Sequence, residues 1–246
     1  MLVQTPPKVT KPAKRELIGE REGKTLYHSE KPDLIIQEFR TAPTEETKRS
    51  SRVKDVSALR NEISSYLFGY IEGFHIPTHF VSKLSATAMV VRRLDMIPLV
   101  LRIYNTSTGL LLKRFGLKEG SMLDFPILEH FYSVGRKQPV WVNEYHMYAL
   151  AIVSPDELRQ INRIASKVNA VLRGLCDRRK LAVADLQLAF GRFKDQIVLG
   201  DELSPFTCHF LDLARAGKRE QDRYLPDQDH AVEAFSELYH RLKLKA

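Results

Sequence analysis

Apolar positions fall into stretches of two kinds along the chain, some alternating and some recurring every three or four residues. Residues 24–29 (KTLYHS) and 33–39 (DLIIQEF) are β-rich runs broken by Glu30, Lys31 and Pro32, which predicts an antiparallel hairpin. Residues 41–54 carry no period and many polar side chains, as loops that cover a site often do. Asp55 can cap a helix in which Val56, Leu59, Ile63, Tyr66, Leu67, Tyr70 and Ile71 make one buried stripe, ending near Gly73 and Pro77. Residues 87–94 (TAMVVRRL) and 99–104 (LVLRIY) read as strands, with 95–98 (DMIP) as a break able to hinge two subdomains.

The second half holds the clearest helix. Ser154, Pro155 and Glu157 provide an N-cap, a proline at the first helical position and the acid of a capping box. Leu158, Ile161, Ala165, Val168, Leu172 and Leu175 then form its buried face, and Arg178, Arg179 and Lys180 suit the negative end of the helix dipole. A second hairpin follows, residues 183–191 and 196–203 around a turn at 192–195. Val232, Phe235, Leu238, Tyr239 and Leu242 predict a last helix. Strands and helices mix without regular βαβ alternation, which favours an α+β class. The expected organisation is a basic tail at 1–15 without fixed structure, an antiparallel subdomain at 16–98 and a larger mixed subdomain at 99–246.

Composition narrows the function classes. A chain of 246 residues with 43% hydrophobic content can bury a sizeable core unaided. Cys176 and Cys208 match neither a disulfide framework nor zinc spacing, and no apolar run approaches the roughly 20 residues of a membrane span. The start lacks an apolar signal region, so a cytoplasmic protein is expected. The net charge of +8 is partly in the tail, at Lys8, Lys11, Lys14 and Arg15. Such a balance suits nucleotide and carboxylate ligands as well as nucleic acid, and no helix-turn-helix, zinc finger or RNA-binding aromatic signature supports the latter. Whether copies of the chain associate stays open.

Several segments in unbroken order between about residues 17 and 242 are similar to the SAICAR synthetase family: EREGKTLYHSEKPDLIIQEF, FHIPTHF, RRLDMIPL, NTSTGLLLKRFGLKEG, VNE, ADLQLAFG, LGDELSP and QDR. The resemblance implies an ATP-grasp-like fold with a nucleotide cleft between two subdomains. It implies an ATP-dependent ligase of purine biosynthesis that joins aspartate to a carboxylated aminoimidazole ribotide, with ATP and Mg2+ bound. It carries over ATP-binding roles to Gly23, Lys24, Arg92 and Met96, and catalytic roles to Asp185 and Asp201. Metal binding falls to Asp201 and Glu202. Substrate binding falls to Asn105, Gly109, Lys113, Arg114, Ser204, Asp222 and Arg223. Taken without the resemblance, Lys24 equally fits a solvated strand end, Asp201 and Glu202 the end of a strand, and Lys113 and Arg114 an exposed basic pair.

The chain departs from the family pattern at informative places. Arg21 and Glu22 replace the first glycine and lysine of a GKAK phosphate loop. Gln187 and Ala189 replace the lysine and second acid of D-x-K-x-E-F-G. The three groups that grip the ribotide phosphate, two arginines and a serine, are here Tyr104, His209 and Leu110. Val100, Phe206 and Gln221 replace a glutamate, an aspartate and a lysine. A charge-assisted phosphate contact contributes roughly 1.5–3 kcal/mol, so losing two weakens binding on the order of a hundredfold or more. The expectation is a ligase whose substrate phosphate site is altered, with two alternatives: a non-catalytic paralogue that binds nucleotide or a protein partner, or a ligase for a non-phosphorylated substrate.

Overall fold

A computed structural model describes residues 14, 16–40, 52–133, 139–215, 217, 221–226 and 230–244, without the side chains of residues 52–54 and 110. Most of the expected tail and residues 41–51 of the expected loop lie outside the described residues. The fold is α+β.

The first sheet has five strands: β1 (Leu17–Arg21), β2 (Lys24–His28), β3 (Leu34–Phe39), β4 (Phe80–Lys83) and β5 (Ala88–Arg92), in the order β1-β2-β3-β5-β4 and antiparallel throughout. The hairpin expected at 24–39 is β2 and β3, and β1 extends it through a two-residue turn at Glu22 and Gly23. Both turn residues have positive φ, 49° and 70°, as the tight hairpin turn requires. The helix α1 (Arg52–Glu72) packs on this sheet through Ile63, Leu67 and Ile71. It begins at least three residues before Asp55, so Asp55 stands in its first turn, where its charge favours the dipole, and is not its cap.

The second sheet contains β6 (Asp95–Thr106), β7 (Met122–Tyr132), β8 (Val140–Val142), β9 (Leu181–Phe193), β10 (Gln196–Leu199) and β11 (Cys208–Asp212). Its order is β10-β9-β6-β7-β8, and β11 pairs with the half of β9 that β10 leaves uncovered. Residues 95–98 are not a break: Asp95 and Met96 already pair with Arg192 and Gly191 of β9. The register slips between Met96 and Val100, which places Pro98, lacking an N–H, where no ladder bond to β9 is needed. A Cβ on Gly191 would fall 2.7 Å from Leu94 Cβ, so glycine permits this close crossing.

Two short helices, α2 (Leu110–Phe115) and α3 (Glu144–Ala149), precede α4 (Pro155–Asp177). The expected capping box of α4 is formed: Ser154 accepts from the Glu157 N–H, and Glu157 accepts from the Ser154 N–H. All six residues expected on its inner face are buried, against Leu186, Leu188 and Phe190 of β9 and Leu101 and Ile103 of β6. The closing helix α5 (Ala231–Lys243) lies along α1. No helix among the described residues is long and apolar enough to cross a membrane.

Because side chains alternate along a strand, the opposite face of β6 and β9 is free of α4. Val100, Arg102 and Tyr104 on β6, with Asp185, Gln187 and Ala189 on β9, point to that face and line the cavities described next.

Candidate functional site

A cavity of about 340 Å³ opens between the two sheets. One part of its wall is apolar, with Ile18, Leu26, Ile35, Leu94, Met96 and Leu99; the other is polar, with Lys24, Gln37, Gln187 and Asp201. An apolar slot with a few convergent polar groups is the ordinary form of a nucleotide-sized site. Of the residues expected to bind ATP, Lys24, Arg92 and Met96 line this cavity, while Gly23 lies in the adjacent turn. Gly23 is fixed by packing: a Cβ there would meet the Arg40 carbonyl oxygen at 2.6 Å.

Lys24 is not a solvated strand end. Its ammonium is buried, hydrogen-bonded to Asp201 and, at 2.8 Å, to Oε1 of Glu202. Burial alone would lower the Lys24 pKa, but the charges of Glu202 and Asp201 prevail and raise it. The other partner of Glu202 is Arg60, a residue that the apolar stripe of α1 gave no reason to single out. Its Nε donates to Oε2 of Glu202 at 2.6 Å, and its Nη groups reach Oε1 and the carbonyls of Glu22, at 3.0 Å, and Gly23, at 3.3 Å. The rings of Phe206 and Phe39 cover the guanidinium, with centroids at 4.0 and 5.2 Å. Ser204 Oγ donates to Glu202 as well, at 2.7 Å.

Glu202 therefore does not fit a metal ion. Burial would raise its pKa, yet Lys24 and Arg60 hold it down to about 2, and both of its oxygens are occupied by donors. Among the described residues no group of three histidine, cysteine or acidic side chains is placed to hold a metal. Asp201 differs: its Oδ1 takes Lys24, its side chain keeps 20% of its surface exposed, and it faces the cavity. One carboxylate completed by water and nucleotide phosphate is an ordinary magnesium arrangement, so Asp201 fits that ion and Glu202 orders its surroundings. Ala189 in the same cavity brings no second carboxylate. Glu22, at the place of a phosphate-loop lysine, stands 3.7 Å from Arg21 and 3.9 Å from Lys24, so its charge is partly offset.

His79 also borders the cavity, with its Nε2 buried and without a hydrogen-bond partner. Burial, then the charge of Lys24, lowers its pKa to about 3, so the ring is neutral near pH 7. No motif in the sequence gives His79 a role. What distinguishes it is burial beside charges, which spacing does not reveal.

A second cavity, also about 340 Å³, continues along the same faces of β6 and β9. Its floor is a row across three strands: Tyr104 on β6 pairs in register with Asp185 on β9, which pairs with His209 on β11. His209 Nδ1 lies 3.2 Å from Oδ2 of Asp185, and Nε2 lies 2.8 Å from Oδ1 of Asp222. Ionised carboxylates only accept, so the ring that serves both is the imidazolium. Burial opposes that charge, but the hydrogen bonds and charges of the two acids prevail and raise the pKa of His209. Thr108 Oγ1 donates to the same Asp185 oxygen at 3.0 Å. The Tyr104 hydroxyl is buried beside Arg102 without a well-formed hydrogen bond and without an acceptor; burial pushes its pKa up, against the lowering effect of the Arg102 guanidinium.

Of the expected substrate contacts, Gly109 and Asp222 line this cavity. The others do not. Asn105 points to the opposite face and exchanges hydrogen bonds of 2.8 and 2.9 Å with Asn169 of α4. Arg114 pairs with Glu129 beside Trp141, Arg223 pairs with Glu237 at 3.0 Å, Lys113 is exposed on α2, and Ser204 serves Glu202. Phe206 belongs to the cover over Arg60 and lines neither cavity. The side chain of Leu110 lies outside the described residues.

The family model described as SAICAR synthetase matches residues 20–236. The chain belongs to the SAICAR synthetase family. It is 36% identical over 230 residues to the phosphoribosylaminoimidazole-succinocarboxamide synthase of Chlorobium phaeobacteroides, covering 93% of this chain and 98% of that one. The crystal structure of the synthase from Ehrlichia chaffeensis superposes with a TM-score of 0.83 at 27% identity, over 94% of this chain and 100% of the other. A SAICAR synthetase (type 2) in complex with ADP gives 0.82 at 32% identity, over 93% and 97%. SAICAR synthetases are ATP-dependent ligases of purine biosynthesis, and this member keeps their fold.

Proposed function

We propose that this SAICAR synthetase homologue uses ATP to join an amine to a carboxylate, and that its second cavity takes a substrate other than a phosphate-bearing ribotide. A substrate carboxylate oxygen attacks the γ-phosphorus, the bond to the β,γ-bridging oxygen breaks, and ADP leaves. The amine nitrogen then attacks the acyl carbon, phosphate departs, and the nitrogen loses a proton. The protein contributes position and charge neutralisation to both steps. Met96 and the apolar wall hold the base, and the Lys24–Glu202–Arg60 cluster fixes Asp201 at the polar wall. Asp201 holds Mg2+, which supplies charge neutralisation on the phosphates when bound.

The observation that carries the altered specificity is the state of His209. An arginine at this place, with five N–H groups, would keep donors for a phosphate beyond those the two acids take, whereas both nitrogens of His209 are spent on Asp185 and Asp222. A dianion entering the second cavity meets two carboxylates there, and one charge-assisted contact forgone is worth about a tenfold change or more in affinity. An uncharged or amine-bearing group meets acceptors at Asp185 and Asp222 and a donor at Tyr104.

The test is incubation with ATP, Mg2+, aspartate and the carboxylated ribotide, following ADP release. Little turnover, together with thermal stabilisation of the protein by ATP, is expected. Turnover at ordinary enzyme rates refutes the altered cavity. A second reading, a nucleotide-binding paralogue without turnover, draws on Ala189, which leaves the nucleotide cavity with Asp201 as its single metal-holding acid. ATP binding without consumption across a panel of carboxylates and amines would favour it.

A further inference from the structure

The two cavities meet at one cross-strand pair. Gln187 lines the nucleotide cavity and Arg102 lines the second one; they face each other in register across β9 and β6, and Arg102 Nη2 donates to Oε1 of Gln187 at 3.2 Å. On one side of the pair, Val100 and Ala189 face the nucleotide; on the other, Tyr104 and Asp185 face the substrate. A terminal phosphate that reaches from one cavity to the other must pass this pair.

Arg102 is the cation at that place. Among the described residues no carboxylate forms an ion pair with it: its register partner on β7, Glu129, is held by Arg114, and Arg102 itself donates to the neutral amide of Gln187. The other cations of the nucleotide cavity are engaged or distant from the junction. Lys24 is bound to Asp201 and Glu202, Arg92 donates to the Thr78 carbonyl, Arg21 stands beside Glu22, and Arg93 is exposed next to Leu94 on the apolar side. Where lysine is expected from the resemblance, at 187, stands an uncharged side chain. The positive charge has moved directly across the ladder, from β9 to β6.

We propose that Arg102 binds the terminal phosphate of a nucleoside triphosphate at this junction, replacing the cation absent at position 187. A planar guanidinium grips a phosphate through two parallel N–H bonds, and here it also faces the incoming carboxylate, so it screens one anion from the other. The inference rests on the nucleotide reading of the first cavity.

Isothermal titration with ADP and with the imidophosphate analogue of ATP, both in Mg2+, separates the two. In Arg102→Gln the analogue should bind about tenfold more weakly or worse, with ADP affinity within about twofold of the parent protein. Arg102→Lys should fall between, and Arg102→Gln combined with Gln187→Lys should regain most of the lost affinity, because a lysine at 187 starts from the facing position. Equal weakening of both nucleotides, or of neither, overturns the role of Arg102 while the nucleotide reading stands. Failure of the parent protein to bind either nucleotide overturns both.

Discussion

Arg60 of α1 and Glu202, which follows β10, meet at 2.6 Å between Nε and Oε2 with side chains only 2% and 1% exposed. The contact ties the helix on the first sheet to the segment that carries Asp201, so the pair sets the geometry between two layers. Removing Arg60 leaves Lys24 and Ser204 to offset the buried charge of Glu202, so the cost falls at the low end of the about 3–5 kcal/mol that a stranded buried charge incurs. Arg60→Ala should lower the unfolding free energy in urea by about that amount. A loss under about 1 kcal/mol would show that the pair does not hold the cleft together.

His79 makes stability sensitive to acid. Its folded pKa, about 3, lies below the ordinary value near 6.5 that the unfolded chain recovers. The unfolded chain therefore binds a proton that the folded one refuses. The His79 contribution is constant above pH 7 and falls by up to about 1.4 kcal/mol per pH unit between about 6.5 and 3. In His79→Gln, unfolding free energies measured between pH 4 and 6 should decline less steeply with acid than those of the parent protein; parallel slopes would mean that the ring is protonated in the fold.

His209 works in the opposite direction. Asp185 and Asp222 raise its folded pKa above the unfolded value, so its contribution is fully present below about pH 6.5 and is lost as pH rises through the folded pKa. His209→Leu should therefore destabilise more at pH 6 than at pH 9. The imidazole resonances should titrate above 6.5, and a midpoint at or below that value would remove the imidazolium from the floor of the cavity.

Strong local patterns were legible. The capping box at Ser154, the stripe of α4 and the hairpin turns each depend on residues within one or two turns of one another, and the structure forms them as the sequence indicates. The strand over 95–98 was not, because Pro98 resembles a breaker unless one knows that the register of β6 slips there. Arg60 was hidden for a related reason: a charged residue within an apolar stripe reads as an edge position, and only the buried Glu202 some 142 residues away explains it. The departures at 104, 187 and 209 were visible as separate losses of charge. Their meaning depends on pairing across strands, which aligns Tyr104 with Asp185 and His209, and Gln187 with Arg102. Arg114 and Arg223 survived as letters of a motif while their side chains pair with Glu129 and Glu237, and Lys113 stands exposed on α2.

The Tyr104 hydroxyl, buried without an acceptor, gives the clearest separation between fold and recognition. A buried O–H without an acceptor costs roughly 1–3 kcal/mol in desolvation, so Tyr104→Phe should leave the ligand-free protein as stable as before or slightly more so. The same position decides what the second cavity accepts. Converting Tyr104→Arg, Leu110→Ser and His209→Arg together installs two fixed positive charges beside Asp185, where Asp222 also waits for a partner once the imidazole is gone. Arginine at 209 can engage those acids and still present a donor outward, because its fork carries five N–H groups where imidazolium carries two. The affinity for the carboxylated ribotide, measured by calorimetry, should therefore rise about a hundredfold in the triple variant. Tyr104→Phe in the same titration should not raise it at all. If the unaltered protein already binds the ribotide as tightly as the triple variant does, the phosphate has found its cations elsewhere in the chain.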